Sequence, residues 1–212
     1  MNESIDICFL HADTFLEEYA FETMYEKTKC NLNVYSQVFK DSYAETMNQL
    51  IALGESEYVV IFQSNMLVEE GWCEELLDNM KNIVDAGCVG IMSSSDESNV
   101  FKPLLTIDDS LKNVWVSKNN AIEGIFMVKR SLITEDIGWF DKLFDNTGYE
   151  HVEFSLKVAF SGKNNFYVRK HKCIEMETPS RNEKFSKKTE FGTKLINEFV
   201  KANINFNEVD TK

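Results

Sequence analysis

The sequence contains only two prolines and nine glycines in 212 residues, and neither is concentrated in a linker. It also shows no internal repeat and no low-complexity tract. A chain of this length is long enough for one full α/β domain and short for two. Apolar residues make up 43% of it, which is enough for a buried core and excludes a disordered chain. We therefore expect one compact domain over residues 1–212.

Cysteines are few, and no CxxC pair suggests a zinc site. The five cysteines are odd in number, widely spaced and mostly in apolar stretches, which predicts reduced core thiols rather than a disulfide framework. The amino-terminal sequence lacks the basic start and apolar run of a signal peptide. No apolar run approaches the ~20 residues of a membrane-spanning helix. These absences predict a cytoplasmic protein without a membrane span.

Positive charge is also scarce, with 22 Lys and Arg against 35 Asp and Glu and a net charge of −13. Such a field repels polyanions, so broad binding to nucleic acid or to anionic membranes is not expected. One basic stretch near the carboxyl terminus is an exception; it contains Arg181, Lys184, Lys187 and Lys188. By charge alone a solvated loop is the simpler interpretation, and a site for a phosphate-bearing ligand is the alternative.

Short apolar runs alternate with helical patterns in the first half of the chain. Strands are predicted at 5–10, 31–39, 58–62 and 89–94. Helices are predicted at 13–28, at 43–53 with Asp41 or Ser42 as cap and Gly54 at the end, and at 69–87 with Gly87 at the end.

This alternation predicts an α/β fold with a mainly parallel, twisted sheet flanked by helices on both faces. In such sheets ligands bind at the carboxyl ends of the strands. We therefore expect three chain segments, 11–13, 36–39 and 63–65, to converge on one crevice.

The second half has a mixed pattern. Strands are predicted within 113–119, 122–130 and 164–170, and helices within 131–138, 149–162 and 189–204. The helix at 149–162 carries Glu150, His151 and Glu153 near its first turn. The apolar residues expected on its buried face are Tyr149, Val152, Phe154, Leu156 and Phe160.

Three ordered stretches add a more specific signal: "YAETMNQLIALGESEYVVIFQSN" (43–65), "IEGIFMVKRSLITEDIGWFDKLF" (122–144) and "GYEHVEFSLKVAFSGKNNFYV" (148–168). Together they resemble the family 2-type nucleotide-sugar glycosyltransferases, which have the GT-A fold. The first resembles the stretch leading into the family's DxD metal motif, the second its acceptor-side segment, and the third its helix beginning with an "ED" pair.

The resemblance implies a single GT-A-like domain with a Rossmann-like nucleotide-sugar-binding half at 1–98 and a mixed acceptor and catalytic half at 99–178. A basic loop and closing helix at 179–212 would follow. The implied activity is transfer of a sugar from a nucleotide-sugar donor to a hydroxyl acceptor, with inversion. The acceptor would be a glycan, a lipid-linked molecule or another hydroxyl compound.

In this resemblance Gln63 and Asn65 occupy the positions of the two DxD aspartates, with Ser64 between them. Neutral amides supply no negative charge to hold Mg²⁺ or Mn²⁺, so no metal ligand is assigned beyond Asn65 as a weak candidate. Either ion remains possible as a cofactor, but the interpretation favours a metal-independent donor site. Lys184 and Lys187, together with Arg181, would then neutralise the donor diphosphate.

The same resemblance assigns catalysis to Glu150 and His151, the counterparts of the "ED" pair. Glu150 is the retained acid, and His151 has an ordinary pKa of ~6.5 that also suits a proton acceptor. The remaining roles are donor binding by His11 and Asp13 and acceptor-side contacts by Gly124, Trp139 and Glu153. Asp141 is expected to shape a turn and Trp72 to pack in the core, whereas His11 and Gly124 also have purely structural interpretations.

Two other functions are compatible with the sequence. Loss of both DxD acids and of half of the "ED" pair is also typical of a non-catalytic module that binds a nucleotide sugar or glycan. An unrelated nucleotide-binding α/β protein is the third interpretation, since doubly wound sheets host many chemistries.

Overall fold

The computed structural model describes residues 3–11, 15–38, 41–93, 105–106, 114–117, 122, 124–145, 149–176 and 192–201. Its strands are β1 (Ser4–His11), β2 (Asn31–Val38), β3 (Tyr58–Gln63), β4 (Met66–Val68), β5 (Ala86–Ser93), β6 (Leu105–Thr106), β7 (Val114–Ser117), β8 (Ile125–Lys129) and β9 (Asn164–Glu175). Its helices are α1 (Phe15–Glu26), α2 (Tyr43–Leu53), α3 (Trp72–Asn82), α4 (Glu150–Phe160) and α5 at 192–201. A π-helix (Leu132–Ile137) and a 3-10 turn (Lys142–Phe144) lie between β8 and α4.

All nine described strands join one sheet in the order β2-β1-β3-β8-β5-β9-β7-β6, with β4 paired to β9 beside this path. The predicted parallel pairing is present where β1 lies between β2 and β3. The sheet as a whole is mixed, because β8 inserts between β3 and β5 and runs antiparallel to both. The α/β class with flanking helices is as expected from the sequence.

The central strands are buried on both faces, and alternate residues of each strand enter different hydrophobic clusters. In β1, Ile7 and Phe9 belong to the cluster that includes residues of α1 and α3. Cys8 and Leu10 belong to the cluster that includes residues of α2 and α4. This follows from the two-residue period of a strand, and it places two helices on each face of the sheet.

Helix α2 forms where the sequence predicts it. Of the two candidate caps, Ser42 is the one used, and its Oγ accepts a hydrogen bond from the Glu45 backbone N–H at 3.0 Å. The helix ends at Leu53, with Gly54 as its carboxyl-terminal cap.

Helix α3 is shorter than predicted, because it ends at Asn82 rather than at Gly87. Gly87 instead lies within β5, where α4 approaches the sheet closely. A Cβ atom on Gly87 would lie 2.1 Å from Val158 Cγ1, so the position needs a glycine for packing rather than as a helix stop. Trp72 begins the helix fully buried, as expected, and its Nε1 donates to the Met24 carbonyl.

Helix α4 begins at Glu150 as predicted, but its buried face differs from the predicted one. The predicted set contained Tyr149, Val152, Leu156 and Phe160, which are only partly buried. The buried residues are His151, Glu153, Phe154, Ser155 and Val158. Four of them, at 151, 154, 155 and 158, follow the i, i+3, i+4, i+7 spacing of a helix face, and two of those four are polar.

The five cysteines all lie in the described part of the chain and are all free thiols, as predicted. Four of them are buried and Cys30 is partly buried. Among the described residues, no helix is both long and apolar enough to cross a membrane.

Candidate functional site

The carboxyl ends of the first three strands lie at the same edge of the sheet, as the sequence predicts. Leu10 of β1 is paired with both Gln37 of β2 and Gln63 of β3. His11 is the last residue of β1 and is paired with Val38, but its side chain lies outside the described part of the structure, as do Ala12 and Asp13. We refer to this edge as the carboxyl edge.

The turn after β3 is held by carboxylates from two other elements. Ser64 Oγ donates to Glu17 Oε1 of α1 at 2.8 Å. Asn65 Nδ2 lies 3.3 Å from Glu175 Oε1 at the end of β9, and 3.3 Å from the Met176 carbonyl oxygen. The Met176 backbone N–H donates in return to the Asn65 carbonyl at 2.8 Å. The amide of Asn65, 8% exposed, therefore links the turn to the end of the last sheet strand.

Gly124 lies at the start of β8, next to this turn. A Cβ atom built on it would be 3.9 Å from Gln63 Oε1 and 3.3 Å from Met66 Cε. Its φ of +79° is in the left-handed region that favours glycine. The structure therefore brings Gly124 and the DxD-like turn together.

The first turn of α4 lies at the same edge, on the face that α2 covers. The imidazole of His151 is 7% exposed and its centroid is 5.5 Å from that of Phe126 in β8. Phe126 is paired with Ile61, two residues before Gln63. The start of α4 thus packs on the β3–β8 pair close to the carboxyl edge, while Asn65 reaches in another direction, towards β9.

His151 is held in place by α2. Its Nε2 forms a hydrogen bond with the hydroxyl of Tyr43, the first residue of that helix, and the two rings meet edge to face at 5.3 Å. Burial, followed by the charge of Glu150, raises the pKa of Tyr43 well above its ordinary value. The Tyr43 hydroxyl therefore stays protonated at neutral pH.

The segment before α4 is also tied to α2. Asp145 Oδ1 accepts from the Ala44 backbone N–H at 2.7 Å, and its Oδ2 accepts from Ser42 Oγ. Asn48 exchanges two hydrogen bonds with the backbone of Phe140, each 2.9 Å long. These bonds attach two points of the segment before α4, Phe140 and Asp145, to helix α2 and its cap.

Glu153 and Trp139 form a separate group around Lys157 of α4. The Glu153 side chain is 1% exposed and its Oε1 lies 3.0 Å from Lys157 Nζ, which also donates to the Trp139 carbonyl. Burial raises the pKa of Glu153, and the charge of Lys157 offsets part of that rise. Trp139 is 38% exposed, and Asp141 caps the 3-10 turn through Leu143 N–H, as its predicted turn role requires.

The donor set at the DxD-like turn does not fit a tightly bound divalent cation. Mg²⁺ and Mn²⁺ favour several carboxylate oxygens, and among the described residues no three His, Cys, Asp or Glu side chains are grouped to hold a metal ion. The Asn65 amide directs its nitrogen, not its oxygen, at the one carboxylate beside it.

Several predicted residues lie outside the described chain, including Arg181, Lys184, Lys187 and Lys188. Conversely, four residues at the site were not predicted from the sequence: Glu17, Tyr43, Asp145 and Glu175. They come from four separate elements or loops, and nothing in their local sequence signals the contact. Only the strand order and the helix positions bring them together.

A separate open groove of about 460 Å³ lies along α3 and β9, and is lined by residues including Gly71, Asp78 and Lys170. None of the predicted site residues lines it.

Comparison with known proteins identifies the fold. No family model and no curated protein matches the sequence. Solved structures of glycosyltransferases are similar over most of this chain, among them three with TM-scores of 0.59 to 0.61. The chain has a GT-A-like fold, so the fold implied by the sequence resemblance is confirmed.

The first of these structures is GalNAc-T7 with UDP, GalNAc and Mn²⁺, with a TM-score of 0.61 and 11% identity over 85% of this chain and 45% of that one. The second is S. aureus TarS 1–349 with UDP-GlcNAc, at 0.59 and 10% over 86% and 61%. The third is the mannosyltransferase PcManGT from Pyrobaculum calidifontis with GDP-Man and Mn²⁺, at 0.61 and 17% over 86% and 59%. The chain therefore spans between 45% and 61% of the length of these proteins.

Proposed function

We propose that the protein is a glycosyltransferase that moves a sugar from a nucleotide-sugar donor to a hydroxyl acceptor with inversion. The observation that carries the proposal is the carboxyl edge, where Gly124 lies beside the Gln63–Asn65 turn and His151 of α4 packs on Phe126 of the adjacent strand β8. Parallel strands of α/β sheets present ligand-binding groups at this edge. The likeness to three glycosyltransferases supports this chemistry over the many others that α/β sheets host.

In the proposed reaction Glu150 is the general base. It accepts the proton of the acceptor hydroxyl as the oxygen attacks the anomeric carbon from the face opposite the nucleotide. The bond from that carbon to the diphosphate oxygen breaks, and the nucleoside diphosphate leaves with the electron pair. His151 acts together with Glu150, and the buried Glu153 on the same helix pairs with Lys157. Trp139 and Gly124 would border the acceptor.

Donor binding is assigned to His11, Asp13 and the turn at residues 63–65. Without a metal, the charge of the diphosphate needs cations, which Arg181, Lys184 and Lys187 would supply. The hydrogen bonds between Met176 and Asn65 support this assignment. They hold Met176, which precedes the basic segment, beside the turn at residues 63–65. Lys184 is eight residues beyond Met176, and that length of chain spans up to ~26 Å when extended.

Release of free nucleotide tests the proposal without knowledge of the acceptor. Purified protein is incubated with UDP-, GDP- and dTDP-sugars, with Mn²⁺ or with a chelator, while thermal shift reports binding. We expect release from one donor class at a rate that the chelator does not change. Binding without release would identify a non-catalytic module instead, and no binding would identify an unrelated α/β protein.

The cation assignment has its own test. The double charge reversal Lys184→Glu and Lys187→Glu should raise the donor KM by about tenfold or more, since each lost charge–phosphate bond weakens binding. An unchanged KM would refute the assignment. Charge reversal of the exposed Lys142, on the turn before α4, provides the control and should leave the KM as it is.

A further inference from the structure

Tyr43 lies where α2 meets α4, and its hydroxyl bonds to a residue next to the proposed base. The bond joins the Tyr43 hydroxyl to His151 Nε2 across 108 residues of sequence. Tyr43 belongs to the small-residue helix of the family-like stretch, and no role was assigned to its side chain from the sequence. The contact connects the first residue of one helix to the second residue of the other.

The surroundings leave His151 little freedom to turn. Besides Tyr43, its ring faces Phe126 at 5.5 Å and Phe140 at 6.3 Å, and the residue is 7% exposed. Tyr43 in turn packs edge to face on Phe140 at 5.7 Å. Packed aromatic rings of this kind keep single rotamers, so the orientation of the imidazole follows that of the tyrosine.

Tyr43 is itself fixed on both sides. Its neighbours Ser42 and Ala44 both donate hydrogen bonds to Asp145, which lies in the segment before α4. Burial, followed by the charge of Glu150, raises the pKa of Tyr43. The hydroxyl stays protonated, so it donates to His151 Nε2 when that atom carries no proton.

We propose that Tyr43 is a positioning residue for sugar transfer, which acts through its hydrogen bond to His151 to hold the first turn of α4. The held turn keeps the Glu150 carboxylate directed at the acceptor hydroxyl at the carboxyl edge. This inference rests on the proposed function, in which Glu150 is the base. A base displaced by a fraction of an ångström loses much of its effect, because proton transfer requires a short and aligned hydrogen bond.

The test is the kinetics of nucleotide release by Tyr43→Phe, which removes one hydroxyl and keeps the ring packing. We expect kcat to fall about tenfold, the effect of one lost hydrogen bond in the transition state, with the donor KM within about twofold of wild type. Tyr35→Phe is the matched control, because Tyr35 packs against the same hydrophobic cluster and touches neither Glu150 nor His151 in the bonds described. Its kcat should equal that of wild type.

A double variant separates positioning from a general loss of packing. In the His151→Ala background, adding Tyr43→Phe should change kcat no further, since the partner is already gone. A wild-type kcat in Tyr43→Phe, or a further fall in the double variant, would overturn the positioning role.

The ¹⁵N chemical shifts of the His151 imidazole give a readout that does not depend on activity. They should change in Tyr43→Phe and stay unchanged in Tyr35→Phe; identical spectra would overturn the proposal. If wild-type protein releases nucleotide but Tyr43→Phe keeps full kcat, only the positioning role fails. If wild-type protein releases no nucleotide from any donor, the proposed function fails and the positioning role fails with it.

Discussion

At the amino edge of β1 and β3, the buried charge of Asp6 is fully paired. At the carboxyl edge of the same strands, the Asn65 side chain is neutral and makes longer hydrogen bonds. Asp6, 0% exposed, accepts from Asn33, from Ser56 twice and from Arg130 at 2.7 Å. Arg130 also donates to the backbone of Ser56 and of Ile51. At the other edge, the Asn65 amide makes hydrogen bonds of 3.3 Å.

The amino edge is therefore a structural junction, whereas the carboxyl edge is the candidate functional site. The amino-edge network joins the end of α2, the start of β3 and the end of β8, and every charge in it has a partner within the fold. The 3.3 Å bonds of the Asn65 amide are longer than the usual ~2.9–3.0 Å, so they are weaker and are exchanged at lower cost for bonds to a ligand. Stability should therefore depend mostly on the amino edge and turnover mostly on the carboxyl edge.

The largest expected effect is loss of the Asp6–Arg130 ion pair. Arg130→Met leaves a buried carboxylate without its cation, and should lower the free energy of unfolding by about 3–5 kcal/mol. The control is Lys142→Met near the carboxyl edge, whose ion pair with Glu45 is more than half exposed and should be worth less than about 1 kcal/mol. Urea denaturation measures both, and equal losses would contradict the comparison.

The next largest effects should come from alanine substitution of a glycine at each edge. A Cβ atom on Gly54 would lie 2.1 Å from Asp6 Oδ2 and 2.8 Å from Arg130 Nη2, so Gly54→Ala forces the ion pair apart. We expect a loss of about 1–3 kcal/mol in urea denaturation. Gly124→Ala meets the flexible ends of Met66 and Gln63 and carries a backbone strain of about 1 kcal/mol. It should lower nucleotide release more than Gly54→Ala does; the reverse order would break the comparison.

A third variant, Asn65→Asp, restores an acid at the carboxyl edge. Its new carboxylate would face Glu175, which now accepts a bond from the Asn65 amide at 3.3 Å. Like charges at this distance should lower stability by about 1 kcal/mol without metal. Mn²⁺ should raise the melting temperature of the variant and leave that of wild type unchanged. Asn65→Ser, which adds no charge, is the control and should show no response to Mn²⁺.

The smallest expected effects concern pH, and their signs differ between two buried acids. Burial raises the pKa of Asp6, but the hydrogen bonds from Ser56 and Asn33 and the charge of Arg130 outweigh it and lower the pKa overall. Its stabilisation is therefore present above the ordinary pKa of 3.8 and is lost as pH falls through the folded value. The pKa of Glu153 is raised, so its contribution becomes less favourable as pH rises from 4.5 through the folded value.

Unfolding curves of Asp6→Asn and Glu153→Gln between pH 3 and 8 check both signs. Relative to wild type, Asp6→Asn should lose least stability at the acid end and most at neutral pH. The free energy of unfolding of Glu153→Gln, relative to that of wild type, should be highest at neutral pH and lowest near pH 4.5 and below. Parallel curves for wild type and Glu153→Gln would mean that the carboxylate titrates normally in the folded protein.

Much of the fold was predictable because its signals are local. The buried apolar runs of β1 and β3, the alternating pattern of β2 and the Ser42 cap of α2 depend on neighbouring residues. The pairing of β8 with β3 and the return of β4 to β9 join residues more than 60 positions apart and have no local signal. The end of α3 was misplaced because Gly87 is typical of a helix stop, although its glycine is required by the approach of Val158.

The site was less predictable than the fold for a related reason. Comparison of positions with a family pattern identifies Gln63, Asn65 and Glu150. It does not identify the residues that contact them and determine their chemistry. The contacts of Asn65 with Glu175 and of His151 with Tyr43 each join residues more than 100 positions apart. The buried face of α4 was misjudged because two of its members, His151 and Ser155, are polar residues that packing and hydrogen bonds satisfy.

The measurement that tests the central claim most directly is nucleotide release by Glu150→Gln. The substitution keeps size and helix position and removes only the ability to accept a proton, so release should fall by about 10²-fold or more at unchanged donor affinity. Glu55→Gln, an exposed acid at the opposite edge, should behave as wild type. Full activity in Glu150→Gln would contradict the account.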